Sequence, residues 1–252
     1  MSGMRNLKHL ALAISVSISS ISIVSSQTAT VGMGQEFKQL SGEIGIRQSG
    51  FEGIQTYSNP TVKGSQFFYP GWSKGSVTTN DNQLISDNYV FVFDKVRQLL
   101  FIKEADKVNS DDPNDVLIVD QSKVLLFTLN TDKPHNFAKA TLYDSSLNGK
   151  FFEILIQNEN YSLFKFTQTT FEKADKGDMV AVKNGDFSDA FVDHTTYYIY
   201  HNHQLQKVGL HENNIRKVLS DDKSKVNDYF NLHTSDGEIN EDFLVGLVSS
   251  LN

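Results

Sequence analysis

The sequence has no cysteine among its 252 residues. This excludes a disulfide framework, a thiol nucleophile, cysteine-ligated zinc or iron–sulfur centres and a lipidated N-terminal cysteine. Basic residues are also in the minority, since 23 Lys and Arg stand against 30 Asp and Glu, for a net charge of −7. A nucleic-acid binder needs a basic face to neutralise phosphates, so we expect no nucleic-acid partner.

The sequence is rich in aromatic residues, with 18 Phe and 9 Tyr, and 39% of all residues are apolar. This composition excludes wholesale disorder and indicates a packed core. The length is sufficient for one large domain or two small ones.

Residues 1–26 have the composition of a secretory signal peptide. Arg5 and Lys8 give a positive start, and the uncharged stretch Leu10–Val24 follows. Small or compact residues precede the Ser26–Gln27 bond, where we expect cleavage. The alternative is a retained anchor, but a helix over this stretch reaches only about 22 Å, short of the roughly 30 Å hydrocarbon core. We therefore expect an exported, soluble chain, periplasmic or extracellular, without a transmembrane segment after cleavage.

The chain after the signal peptide changes character twice. Residues 27–63 form a glycine-punctuated lead-in with possible edge strands. Residues 64–209 carry the strand signals, and residues 210–252 carry helical periodicity. This predicts an antiparallel β domain on which C-terminal helices pack.

Short apolar runs alternate with polar tight turns through the β region. Tyr89–Phe93, for example, is followed across Asp94–Gln98 by Leu99–Ile102. Serial strands at this spacing predict an antiparallel meander. Further predicted strands are Val116–Val119 with Val124–Leu129, Phe151–Gln157 with Tyr161–Phe166, Met179–Val182, and Tyr197–Tyr200 with Leu205–Gly209; the longer loops are Lys103–Asp115 and Asn130–Lys150.

Apolar residues recur at helical spacing in the last forty residues. His211–Leu219 and Asp222–His233 are predicted helices, with Ser220-Asp221 as a cap between them. Asn240 is placed to cap a last helix. The predicted fold class is therefore α+β: a mainly antiparallel β meander, as an open sheet or half-barrel, with a short C-terminal helical segment.

Several aromatic strand-and-turn motifs have a pattern that is similar to that of known exported proteins. They are Val62–Tyr69, Trp72–Val77, Tyr89–Ile102 and Tyr197–Tyr200, followed by the helix-rich tail. Over roughly residues 60–252 the chain resembles a type of uncharacterised exported β-rich protein common in Bacteroidota. The resemblance implies an exported β-rich fold and assigns no catalytic residue.

Two sets of residues are candidates for binding. The aromatics Phe67, Trp72, Phe91 and Phe93 cluster beside turns and in a strand, where they line a ligand surface or fill the core. His201 and His203 form an H-x-H pair with His194 upstream, which in a strand would present imidazoles on one face to zinc or copper. The competing interpretation of His201–Gln204 is a solvated hairpin turn.

No catalytic constellation is recognisable in the sequence. The P-loop pattern and the EF-hand template are absent, and Gly71–Gly75, which matches G-x-S-x-G, is followed by strand signals where a nucleophile elbow leads into a helix. We therefore predict no cofactor and no catalytic residue, and a non-enzymatic binding or structural protein of the envelope or the extracellular space, with no partner identifiable. Two alternatives stay open: a half-barrel that binds a lipid or another hydrophobic ligand, and a hydrolase with an unrecognised site.

Overall fold

The computed structural model describes residues 62–174, 188–233 and 238–251. Within these ranges the chain forms one antiparallel sheet followed by three α-helices. The predicted signal peptide, nearly all of the lead-in and the predicted strand Met179–Val182 lie outside the described residues. The strands are β1 Ser73–Thr79, β2 Leu84–Ile85, β3 Tyr89–Asp94, β4 Leu99–Glu104, β5 Val116–Ile118, β6 Val124–Asn130, β7 Pro134–Lys139, β8 Phe151–Gln157, β9 Ser162–Glu172, β10 Ala190–His201 and β11 Gln204–Val208; the helices are α1 Glu212–Val218, α2 Lys223–His233 and α3 Glu241–Ser249.

The sheet is open, with β11 at one end of the strand order and β5 at the other. From β11 to β6 each strand lies beside its neighbour in the chain, and then β1 stands between β6 and β3, followed by β4 and β5. The short β2 pairs with β1, and all the strand pairs are antiparallel. The predicted α+β class with an open antiparallel sheet is confirmed, and the position of β1 is the one departure from chain order along this path.

Phenylalanine rings fill the space enclosed by the strands β1 to β8. The ring centroids of Phe93, Phe127 and Phe137 lie 4.5–5.4 Å apart, and all three side chains are buried. Val119 and Val124 belong to the same core, although three strands separate β5 from β6. A flat sheet would hold those two strands about 19 Å apart, so this part of the sheet curls around the rings. We refer to these side chains as the central core.

The three helices cover the face of β8–β11 that continues from the central core. Leu163, Ile199 and Val208 are the buried strand residues of this second core. The buried residues of the helical segment that meet them are Ile215, Leu219, Val226, Phe230, Leu244, Leu247, Val248 and Leu251. In the ranges given above, no helix has both the length and the apolar character needed to cross a membrane.

The turn between β3 and β4 is built around a buried carboxylate. Asp94 is fully buried and accepts hydrogen bonds from the backbone N–H groups of Val96 and Arg97, at 2.8 and 2.9 Å. The Arg97 Nε–H donates to its other oxygen at 2.7 Å. Two backbone N–H groups and the Arg97 side chain are thus satisfied locally, which fixes the conformation of the turn.

The same turn also contacts the strands β9 and β10. The ammonium of Lys95 lies 2.6 Å from the carboxylate of Asp193 on β10, and Lys95 is buried. The amide of Gln98 donates to the carbonyl of Thr167 on β9 at 3.1 Å. These polar contacts join the curled part of the sheet to its helix-covered part.

Most predicted hairpins and all three predicted helices are confirmed. Strands β3 and β4, β8 and β9, and β10 and β11 pair across the predicted turns. Asn240 caps α3, since its side-chain oxygen accepts from Phe243 N–H at 3.0 Å. Residues Ser220–Asp222, expected to hold a cap between two helices, form a 3-10 turn.

Two local predictions are wrong. Asn130–Lys150 was expected to be a loop, but it contains β7, which pairs with both β6 and β8. Pro134 and Lys139 disfavour a strand, but the hydrogen-bonding edges of two neighbours and the burial of Phe137 override that propensity. The predicted hairpin between the strands at 116–119 and 124–129 is also wrong. Both strands exist, but β5 pairs with β4, and β6 pairs with β1.

Candidate functional site

The four predicted ligand-binding aromatics lie in two packed clusters. Phe91 and Phe93 are buried in the central core, at 1% and 3% exposure. Phe67 is buried on the other face of β3 and β4, where the half-buried Trp72 packs against it. None of the four lines any of three clefts of about 360–400 Å³ in the described part of the chain.

The three histidines predicted as metal ligands are not brought together. His194 is exposed in the middle of β10, and its Nε2 lies 2.9 Å from the Thr170 hydroxyl. Seven residues of extended strand place it about 23 Å from His201. Across residues 62–174, 188–233 and 238–251, no group of three or more His, Asp or Glu side chains is arranged to hold a metal ion.

His201 instead precedes a two-residue hairpin turn, and His203 is the second residue of that turn. His201 pairs with Gln204, and the turn residues Asn202 and His203 both have positive φ, at 48° and 61°. Two-residue hairpin turns that match the right-handed twist of the strands require positive φ at both central residues, and asparagine tolerates this conformation well. The turn interpretation of the sequence is therefore correct for these residues.

A second turn lies beside the first at the same end of the sheet. Asn158 begins it: the side-chain oxygen accepts from the backbone N–H groups of Asn160 and Tyr161, at 3.0 and 2.6 Å. The backbone N–H of Asn158 donates to the Tyr161 carbonyl at 2.9 Å. The Asn158 side-chain nitrogen is buried and has no hydrogen-bond partner, which leaves this turn one acceptor short.

The two turns enclose a cleft of about 360 Å³, which we call the turn cleft. That volume falls within the range of small-molecule sites. Its lining combines aromatic rings with uncharged hydrogen-bonding groups, and its only carboxylate is that of Glu159. The lining residues are Tyr143, Gln157, Asn158, Glu159, Asn160, Tyr161, Ser162, Tyr200, His201, Asn202 and His203.

Aromatic stacking fixes one wall of the turn cleft. The ring of His201 lies parallel to that of Tyr161, with centroids 4.0 Å apart and planes 14° apart. The His201 Nδ1–H donates to the Asn160 carbonyl at 2.7 Å. With this hydrogen bond and the stacking, the imidazole is held in one orientation.

The connection between α1 and α2 supports that wall from behind. The Tyr161 hydroxyl donates to the Asp222 carboxylate at 2.5 Å. Burial, and then the hydrogen bond to Asp222, raise the pKa of Tyr161 well above its ordinary value of 10.0. Tyr161 therefore stays a neutral donor at all physiological pH values.

The opposite wall holds two tyrosines and the second histidine. Tyr143 and Tyr200 meet edge to face with centroids 5.1 Å apart. His203 meets Tyr200 edge to face at 6.5 Å. Tyr200 and Tyr143 are half-buried and His203 is exposed. The wall therefore presents ring surface to solvent.

A separate polar cluster lies on the concave face between the two cores. His135 on β7 has one ring nitrogen 2.7 Å from Glu153 and the other 3.3 Å from Asp132. A hydrolase base needs a free nitrogen directed at a nucleophile, whereas both nitrogens here face carboxylates. The geometry of His135 is thus that of a structural link between β7 and β8.

The neighbouring ion pair attaches α3 to the sheet. Glu241, in the first turn of α3, lies 2.9 Å from the Lys165 ammonium and accepts from the Tyr197 hydroxyl at 2.8 Å. Partial burial opposes ionisation of Glu241, but the hydrogen bonds from Lys165 and Tyr197 outweigh it and lower its pKa. Burial, followed by the hydrogen bond to Glu241, raises the pKa of Tyr197.

The sequence carries a signal for the turn cleft. Both turns were predicted, at residues 158–160 and 201–204. In consecutive antiparallel hairpins, alternate turns lie at the same end of the sheet, so the two polar turns could have been placed side by side.

The chain matches no protein-family model, no curated protein and no solved structure.

Proposed function

We propose that the protein is an exported, non-enzymatic binding protein that takes a small, neutral, hydroxyl-rich ligand in the turn cleft. Saccharides are the main ligand class with this chemistry. They present apolar C–H faces that pack on aromatic rings and hydroxyl groups that pair with amides. The convergence of ring surface and amide groups in one cleft of suitable size carries this proposal.

The near absence of charge in the cleft favours a neutral ligand over an ion. Glu159 is the single carboxylate of the lining, and it is exposed to solvent. Phosphate recognition uses Arg, Lys or a helix N-terminus, and none of these lines the cleft. Amide and hydroxyl groups instead fix a neutral polar ligand through hydrogen bonds.

The unpartnered amide nitrogen of Asn158 adds a requirement for an acceptor. A buried donor without a partner costs about 1–3 kcal/mol. A ligand oxygen that reaches this nitrogen recovers that cost. Sugar hydroxyl oxygens are suitable acceptors.

Binding should be weak and should depend on His203. Saturation-transfer NMR with maltose, cellobiose and N-acetylglucosamine should detect at least one sugar with a Kd on the order of 1 mM, equivalent to about −4 kcal/mol. His203→Asn keeps a residue that tolerates positive φ but removes the imidazole ring. We expect it to weaken binding at least fivefold.

His194→Asn is the matched control, because it removes an exposed imidazole from β10, the strand that leads into the turn, far from the cleft. It should leave the sugar affinity unchanged. The proposal fails if no sugar of the panel gives a saturation-transfer signal, or if the two variants lose affinity equally. The export part has its own test: N-terminal sequencing of secreted protein should begin at Gln27, and retention of residues 1–26 would contradict export.

A further inference from the structure

A second cleft, of about 370 Å³, opens at the edge of the curled part of the sheet. It lies between the connection from β5 to β6 and the residues that lead into β8. Its lining includes no residue of the turn cleft. We call it the edge cleft.

The floor of the edge cleft is apolar and continues into the central core. Leu99, Ile118 and Val119 come from β4, β5 and the residue that follows β5. Phe151 completes the floor, and its ring contacts Phe127 of the central core at 5.1 Å. An apolar group that enters here extends a core that is already dry, and it loses contact with water without disturbing a hydrogen bond.

Two lysines stand at the rim of this apolar floor. The ammonium of Lys139 donates to the Ser122 carbonyl at 3.1 Å. The ammonium of Lys150 lies 5.1 Å from the ring of Phe166. Neither has a carboxylate partner among the residues that the structure describes, whereas Lys95, Lys107 and Lys165 all have one.

The single carboxylate in the lining is already engaged. Asp120 accepts hydrogen bonds from the backbone N–H and the hydroxyl of Ser122, at 2.9 and 2.7 Å. It starts the 3-10 turn Gln121–Lys123 as an N-cap. The rim therefore offers two cations without counter-ions next to an apolar floor.

We propose that the edge cleft binds an amphiphilic carboxylate, of the medium-chain fatty-acid class. The alkyl chain packs on Leu99, Ile118 and Phe151, and the carboxylate pairs with Lys139 and Lys150. The cleft volume suits a single short chain, since the phenylalanine rings fill the curled sheet behind it. This site is independent of the saccharide proposal, because the two clefts share no residue.

Isothermal titration with decanoate tests the proposal on the whole chain. Decanoate should bind, and two partial ligands should separate its components: decanol has the chain without the charge, and acetate has the charge without the chain. Each should bind at least tenfold more weakly than decanoate. Equal binding of decanol and decanoate would overturn the role of the lysines, and with it the proposal.

Substitution of the rim lysines gives the second test. Lys139→Gln with Lys150→Gln should reduce decanoate affinity at least tenfold while circular dichroism shows an unchanged fold. Lys207→Gln, on the exposed face of β11, is the matched control and should retain full affinity. Wild-type affinity in the double variant would contradict the proposal, whereas His203→Asn should leave decanoate binding intact whatever its effect on sugars.

Discussion

Replacement of Asp94 by alanine should be one of the most damaging single changes in the β3–β4 region. The Asp94 carboxylate has no solvent exposure and accepts two backbone hydrogen bonds at 2.8 and 2.9 Å, together with one from Arg97. Hydrogen bonds to a charged group contribute about 1.5 kcal/mol or more each. The exposed Arg97 pair adds at most about 1 kcal/mol.

The sum predicts a loss of about 3–4 kcal/mol of unfolding free energy for Asp94→Ala. Urea denaturation, followed by circular dichroism and by the fluorescence of Trp72, measures it. Arg97→Ala is the matched control, because it removes the half-exposed partner of the same carboxylate and leaves both backbone hydrogen bonds to Asp94 in place. It should cost less than about 1 kcal/mol.

Two results would refute this reasoning. A loss below about 1 kcal/mol for Asp94→Ala would mean that the backbone groups of the turn find water or other partners without difficulty. An equal loss for Arg97→Ala would mean that the ion pair, and not the pair of backbone hydrogen bonds, holds the turn. Asp94→Asn should lie between the two variants, since its amide oxygen can keep both backbone bonds, whereas the neutral amide loses the charge and the bond from Arg97.

Three further predictions concern other parts of the fold. A Cβ at Gly246 would lie 2.2 Å from the Tyr229 hydroxyl, so Gly246→Ala should destabilise the wild type but stabilise Tyr229→Phe, by up to about 1 kcal/mol of helix propensity; a double-mutant cycle in urea measures the difference. A Cβ at Gly75 would lie 2.0 Å from the Thr128 carbonyl oxygen in the next strand, and Gly75→Ala should cost at least about 3 kcal/mol in the same assay. Because the folded-state pKa of Glu241 is lowered, its stabilisation should be complete above its ordinary pKa of 4.5 and be lost as the pH falls through the folded value. The stability difference between wild type and Glu241→Gln should therefore shrink on acidification below that pH, and a constant difference would exclude the ion pair as its source.

The elements that the sequence predicts well are those whose signals are local. The β8–β9 hairpin, for instance, combines two apolar runs with an Asn-Glu-Asn turn, and all of that information lies within about twenty residues. The helix capped by Asn240 is of the same kind, because cap and apolar stripe are adjacent in sequence.

The features that the sequence does not predict depend on distant partners. Strand β7 is polar and begins with Pro134, and it becomes a strand because β6 and β8 supply hydrogen-bonding edges on both sides. The turn cleft needs the register that sets Tyr200 opposite Ser162. The aromatics at 91 and 93 could not be divided between core and pocket, since a strand with two apolar faces is compatible with either location.

The position of β1 has a consequence for the order of folding. Strands β6 to β11 are each paired with a neighbour in the chain, so their hairpins close short loops. Strand β1 pairs with β6 across about 50 residues, as in Val77 opposite Phe127. Non-local pairings of this kind slow the folding of small domains. We therefore expect the β1–β6 pair to form after the hairpins of β6 to β11, so that its formation limits the rate of folding.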